Sequence, residues 1–300
     1  MGSVVLSACG NYSNDDLAYM NAVPAGSQLV ATLPAYSSAL PLSREAELAQ
    51  TVHNVTDQFN QMLDSALGGV DAVRSYEPTS RTATSRTWGP FASDKQAGWD
   101  WKLTVTHADP QSTVFGYELD VENTADLAKG WLTFLSGSFD ATEGVRQGTG
   151  MMMMTTQALS DAGFPFDQGT APFTSLVVSY QTLSYPIAVT MTIDRVADAT
   201  NAATSVVYTY AGQADGSGQM SFTLTGNFIA GPAIETVGVI GAWLPTGAGK
   251  ATEMVEAGDG AGSTQTECWD ATFAATYNEK PWSPTEDVGA ASDCPSLPSF

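Results

Sequence analysis

Few side chains in this chain suit nucleophilic or metal chemistry. There are two histidines, His53 and His107. A histidine-based triad or a multi-histidine zinc site is thereby nearly excluded, and no Gly-x-Ser-x-Gly segment occurs. Met151 to Met154 form a run of four methionines, soft ligands of the kind that hold Cu(I). At strand spacing two of them face inward and two outward, so the run reads as adaptable core filler. Thr246-Gly247-Ala248-Gly249-Lys250 has the look of a phosphate loop. A Walker A loop needs Gly at 244 and Ser or Thr at 251, where the chain has Leu244 and Ala251. Asp215 and Asp259 lie in glycine-rich turns that are poor in further calcium ligands. Paired acids could still cleave a glycosidic bond, and 32 acidic residues keep a carboxylate-dependent hydrolase open as an alternative. Asp100, Glu118 and Asp120, however, alternate with apolar residues and read as the outer face of strands. The expectation is a chain that is not an enzyme, with no catalytic residue, no metal site and no cofactor.

The most specific signal is Leu6-Ser7-Ala8-Cys9: an apolar residue, two small residues and a cysteine. It resembles the lipobox of bacterial lipoproteins. The phrases Tyr12-Ser13-Asn14-Asp15-Asp16, Met20-Asn21-Ala22-Val23-Pro24 and Glu267-Cys268-Trp269-Asp270 are similar to those of uncharacterised lipoproteins of the deltaproteobacterial type, which carry no function with them. The resemblance implies acylation of Cys9 and a cell-envelope location, most often the outer membrane, on its periplasmic or surface face. Residues 1–8 then read as a truncated signal-peptide remnant. Residues 9–42 read as a polar tether and extended arm, and 43–300 as a single domain. With Cys9 set aside for lipid, Cys268 and Cys294 remain as a pair for a disulfide in an oxidising compartment; the alternative is two free thiols.

Composition bounds the partners. A net charge of −21, from 32 acidic and 11 basic residues, repels phosphate backbones, so nucleic acid is excluded as a partner. The same charge disfavours lying directly on anionic headgroups. At 43% apolar and 14% charged residues the chain is fit to bury a core. No run approaches the ~18 apolar residues of a membrane-spanning helix, which leaves lipid as the means of attachment.

The elements follow from periodicity. Residues 43–69 predict one long helix, with Ser43 as N-cap and Gly68-Gly69 as its end. Its stripe is Leu48, Val52, Val55, Phe59, Met62, Leu63 and Leu67. His53 falls on the polar side. A shorter helical turn is expected near Asp15 to Asn21, and residues 70–86 read as linker. From Thr87 onward the period is two. It predicts strands at 87–91, 99–107, 113–122, 130–140, 150–159, 175–180, 187–196, 205–211, 219–229, 236–243, 252–257 and 266–277, with turns at Asp109-Pro110, Asp198 to Asn201, Asp215 to Gly218 and Gly258 to Gly260. Short turns between regularly spaced strands indicate an antiparallel meander. The fold class expected is α+β, mostly antiparallel β: a curved, half-barrel or barrel-like sheet with the long helix packed on it. Trp88, Trp99, Trp101 and Trp131 then serve as core or as a ligand platform.

The function expected is a lipid-anchored envelope protein with a non-enzymatic binding or structural role. Its partners would be a membrane, through the lipid, and an envelope protein or an apolar small molecule. In the alternative, a periplasmic carrier of an apolar ligand or lipid, Val52, Val55, Phe59, Met62, Trp99 and Trp101 would face the ligand.

Overall fold

A computed structural model describes residues 13–34, 45–144, 146–166, 173–195, 204–229, 231 and 233–299. The lipobox with Cys9, the Ser43 cap and the 198–201 turn lie outside these residues. The fold is α+β: fourteen antiparallel strands in strict sequence order, with one long helix, α3 (Glu47–Arg74), packed against sheet. The meander is linear, with β1 and β14 at its two ends. Two short helices precede α3, α1 (Asn14–Ala22) and α2 (Gly26–Leu29). The chain divides into two compact units, Met1–Gly26 with Ala66–Ala171, and Ser27–Ser65 with Pro172–Phe300.

The first unit holds β1 (Ser80–Arg81), β2 (Ser85–Ala92), β3 (Trp99–His107), β4 (Val114–Asn123), β5 (Leu132–Asp140), β6 (Thr149–Thr155) and the short α4 (Gln157–Asp161). Trp88, Leu103, Leu119, Leu135 and Met154 stand opposite one another across five strands and are all buried. Period-two alternation explains the methionine run: Met152 and Met154 are buried while Met151 and Met153 are exposed. The strand expected over 150–159 stops at Thr155, because residues 157–161 turn into α4 and bury Leu159.

The second unit holds β7 (Phe173–Gln181), β8 (Ile187–Arg195), β9 (Thr204–Gly212), β10 (Gly218–Gly226), β11 (Glu235–Trp243), β12 (Gly249–Ala257), β13 (Thr264–Trp269) and β14 (Ala275–Glu279). One strand was expected over 266–277; there are two. The Asp270 carboxylate accepts from the Thr272 amide (2.8 Å), the Thr272 hydroxyl (2.7 Å) and the Ala274 amide (3.2 Å), which folds 270–274 into a tight turn without glycine or proline. The free edge of β14 is covered by the tail, where Asn278 and Val288 exchange backbone bonds of 2.9 and 3.0 Å. Cys268 and Cys294 are joined by a disulfide with a Cα–Cα distance of 5.2 Å, which fixes the same tail.

Helix α3 runs past the glycines expected to end it. A Cβ on Gly69 would stand 3.2 Å from the Trp101 ring and 3.3 Å from Leu119, so the bare backbone admits those side chains. Glycine inside a helix costs about 1 kcal/mol relative to alanine. Burial of Val70 and Val73 beyond it offsets that cost. Residues 70–74, read as linker, are therefore the last turn of α3.

Candidate functional site

The first candidate is the flank of α3 in the second unit, where a carrier would hold its ligand. Val52 and Phe59 are fully buried, Val55 is 6% exposed, and Met62 is half-buried. Thr56 turns its hydroxyl back to the Val52 carbonyl (2.7 Å) and to Met220 Sδ (3.2 Å). The Phe59 ring lies 6.4 Å from the Tyr208 ring. Opposite Val52, the register row Met220, Gly241, Ala251 contains small residues. A Cβ on Gly241 would come within 2.5 Å of Val52 Cγ2. Gly241 and Ala251 let Val52 of the helix seat closely on the sheet. Trp99 and Trp101, the other residues expected to face a ligand, belong to the first unit. They are buried with edge-on contacts: Trp99 to Phe164 at 5.0 Å, Trp101 to Phe134 at 5.1 Å and to Phe164 at 5.9 Å. Trp131 is the half-buried member of the group, with Lys102 Nζ 4.2 Å over its ring.

The second candidate is a carboxylate cluster at the start of α3. Register sets Glu253 beside Gln265 and Glu267 beside Ala251 on adjacent strands, so both acids face the side where α3 begins. Glu267 is 3% and Glu253 8% exposed. Glu267 Oε2 accepts the Leu48 backbone N–H at 2.5 Å, supplying an acceptor to the first turn of the helix. Burial pushes the Glu267 carboxyl up to about 7, against the opposing pull of the Leu48 and Glu47 amides. The Glu253 carboxyl is raised too, by burial and then by the charge of Glu47. Lys280 bonds Glu47 Oε2 (2.7 Å) and Glu286 Oε2 (3.1 Å) at the rim of the cluster. Register makes the two acids diagonal neighbours on one face, beneath a helix turn that uses one of them as a cap. Among the described residues no group of three or more metal-ligating side chains is gathered.

The acids singled out from sequence sit elsewhere. Glu118 is exposed and Asp100 half-buried on the outer face. Asp120 stays on that face, directly opposite Lys102, and is 7% exposed because Lys102 (3.2 Å) and Thr133 (3.1 Å) cover it. Thr246 to Lys250 forms the β11–β12 hairpin, whose Gly247 carbonyl accepts from Trp269 Nε1 at 2.9 Å. Asp215 closes its own turn by accepting from the Ser217 amide and hydroxyl. His53 pairs with Asp57 at 3.3 Å on the same helix. The His107 ring stacks on Phe115 at 5.1 Å and meets the Tyr19 edge at 5.0 Å.

Sequence reasoning missed a third arrangement, an arginine clamp on α1 in the first unit. Asp16 is 1% exposed and accepts from Arg86 Nε (2.6 Å) and Arg81 Nε (3.1 Å), while Ser13 and Asp16 form a reciprocal capping box. Burial alone would raise the Asp16 carboxyl; the Arg86, Ser13 and Arg81 bonds outweigh it and hold it at about 2. The Arg86 guanidinium also lies 4.5 Å over the Tyr19 ring. At the other end of α1, Arg74 donates to the Val23 carbonyl (2.9 Å), and Arg146 donates to Asn21 Oδ1 (2.7 Å). The capping pattern Ser-x-x-Asp was readable in sequence; its arginine partners, 65 and 70 positions away, were not.

Comparison with protein-family models, with curated proteins and with solved structures finds no match for this chain.

Proposed function

We propose that this is a lipid-anchored protein of the bacterial cell envelope with a non-enzymatic binding or structural role. It would be attached through Cys9, to the outer membrane. The observation that carries the proposal is the joining of Cys268 to Cys294. A structural disulfide belongs to an oxidising compartment, and it leaves Cys9 as the one remaining cysteine of three. No helix among the described residues is long and apolar enough to cross a membrane. Tight seating of Val52 on Gly241 favours a structural interior over a ligand-filled one. Use of Glu267 as a helix cap favours a structural role for the carboxylate pair over a hydrolytic one.

The test is mass spectrometry of protein extracted from membranes of the producing bacterium. The expected N-terminus is Cys9 bearing acyl groups, and Cys9→Ser should release the protein from the membrane fraction. An unmodified Cys9 in membrane-extracted material would refute the anchor.

A further inference from the structure

The clamp on α1 bears on how an anchored protein would sit. Only residues 10–12 separate Cys9 from Ser13, the N-cap of α1. A fully extended chain gains at most ~3.6 Å per residue, so the reach from Cys9 to Ser13 is about 14 Å. From Ser13 onward there is no slack. Asp16 is held by Arg81 and Arg86, Arg74 donates to the carbonyls of Met20 and Val23, and Arg146 holds Asn21. The Tyr19 hydroxyl donates to the Ala83 carbonyl at 3.3 Å, joining α1 to the β1–β2 turn.

Charge points the same way. Four of the eleven basic residues of the chain, Arg74, Arg81, Arg86 and Arg146, are spent on α1. Nearby acids are Asp15 and Asp16 on α1, Asp71 on α3, Glu77 before β1 and Glu143 before Arg146; Asp109 follows β3 and Asp140 ends β5, two strands on which α1 packs. The four arginines offset part of that acidic charge in a chain of net charge −21. Arg81 keeps 40% of its side chain exposed, and Arg146 is exposed. Leu17 stands 43% exposed on α1 itself. The reach of the tether is comparable to the ~8–10 Å over which surface charge acts in physiological salt. The arginines weaken the repulsion of this side by an anionic headgroup layer.

We propose that the first unit is held against the phospholipid headgroups by the side formed by α1 and the β1–β2 turn, with Cys9 as the pin. This rests on the acylation of Cys9 proposed above. A long flexible spacer would leave orientation free; a docked helix four residues after the lipid does not.

The experiment uses the acylated protein in vesicles of phosphatidylcholine and phosphatidylglycerol that contain a headgroup-labelled energy acceptor. With Cys9 acylated and Cys268–Cys294 bonded, one introduced cysteine takes a donor dye: Ala83→Cys in the β1–β2 turn, or Glu118→Cys on the outer face of β4. Transfer from position 83 should exceed that from 118. Inserting about twenty Gly/Ser residues between Asn11 and Tyr12, roughly 25 Å of added mean reach, should lower transfer at 83 toward the value at 118. Equal transfer from the two positions in the parent protein, with acyl groups verified on Cys9, overturns the proposal and leaves the anchor standing. Absence of acyl groups overturns both.

Discussion

Replacing Glu267 by glutamine tests whether the carboxylate cluster is a strained cap or a working acid. In the folded protein this carboxyl titrates at about 7, against an ordinary value of 4.5. The folded state therefore binds the proton more tightly than the unfolded chain. By linkage, stability from this group is fully present below about pH 4.5 and is lost as pH rises through about 7. At about 1.4 kcal/mol per pH unit of separation, the ionised form costs about 3 kcal/mol at pH 8. Glutamine keeps an oxygen that can accept the Leu48 N–H and removes the charge. Glu267→Gln should then exceed the parent by about 1 kcal/mol at pH 5, rising to about 3 kcal/mol at pH 8. The assay is urea unfolding of both proteins, disulfide intact, at pH 5, 6, 7 and 8. The other charged groups around the site, Glu47 on α3, Glu253 on β12, and Lys280 and Glu286 after β14, remain in both proteins, so the difference curve isolates Glu267. Parallel pH profiles, or a mutant less stable than the parent at pH 8, would refute the reasoning. The second outcome would mean that the charged cap outweighs the burial of the charge.

Two further substitutions probe the second unit. Phe59→Ala removes a fully buried ring from the middle of α3 and should cost about 3–5 kcal/mol in urea unfolding, with no change in co-purifying lipid; a small loss with altered lipid would instead support the carrier. Cys268→Ala opens a loop closed over 26 residues and should cost about 3.5 kcal/mol by chain entropy; unfolding curves that coincide for mutant and parent would show that the tail contributes nothing to the cap on β14.

Most of the strand series from 87 onward was legible because outward and inward residues alternate and most turns carry glycine or proline; the 270–274 turn carries neither and was missed. Trp99, Trp101, Leu103 and Val105 are spaced two apart, and all are buried on β3. The stripe of α3 was legible for the same reason at period 3.6. The pairing of Cys268 with Cys294 followed from setting one cysteine of three aside. Such features are local or arithmetic, and the chain states them wherever it is read. What sequence did not disclose depends on partners far along the chain. Gly68 and Gly69 look like a helix end, and only the Trp101 and Leu119 side chains lying against Gly69 make them helix interior. Asp120 looks solvated until Lys102 and Thr133, from the neighbouring strands, cover it. Asp16 and Arg86 are seventy positions apart, and Leu48 and Glu267 are 219 apart. A buried charge is tolerable only where a partner waits. Whether one waits is settled by which strands lie side by side, and that register belongs to the folded sheet rather than to any stretch of its sequence.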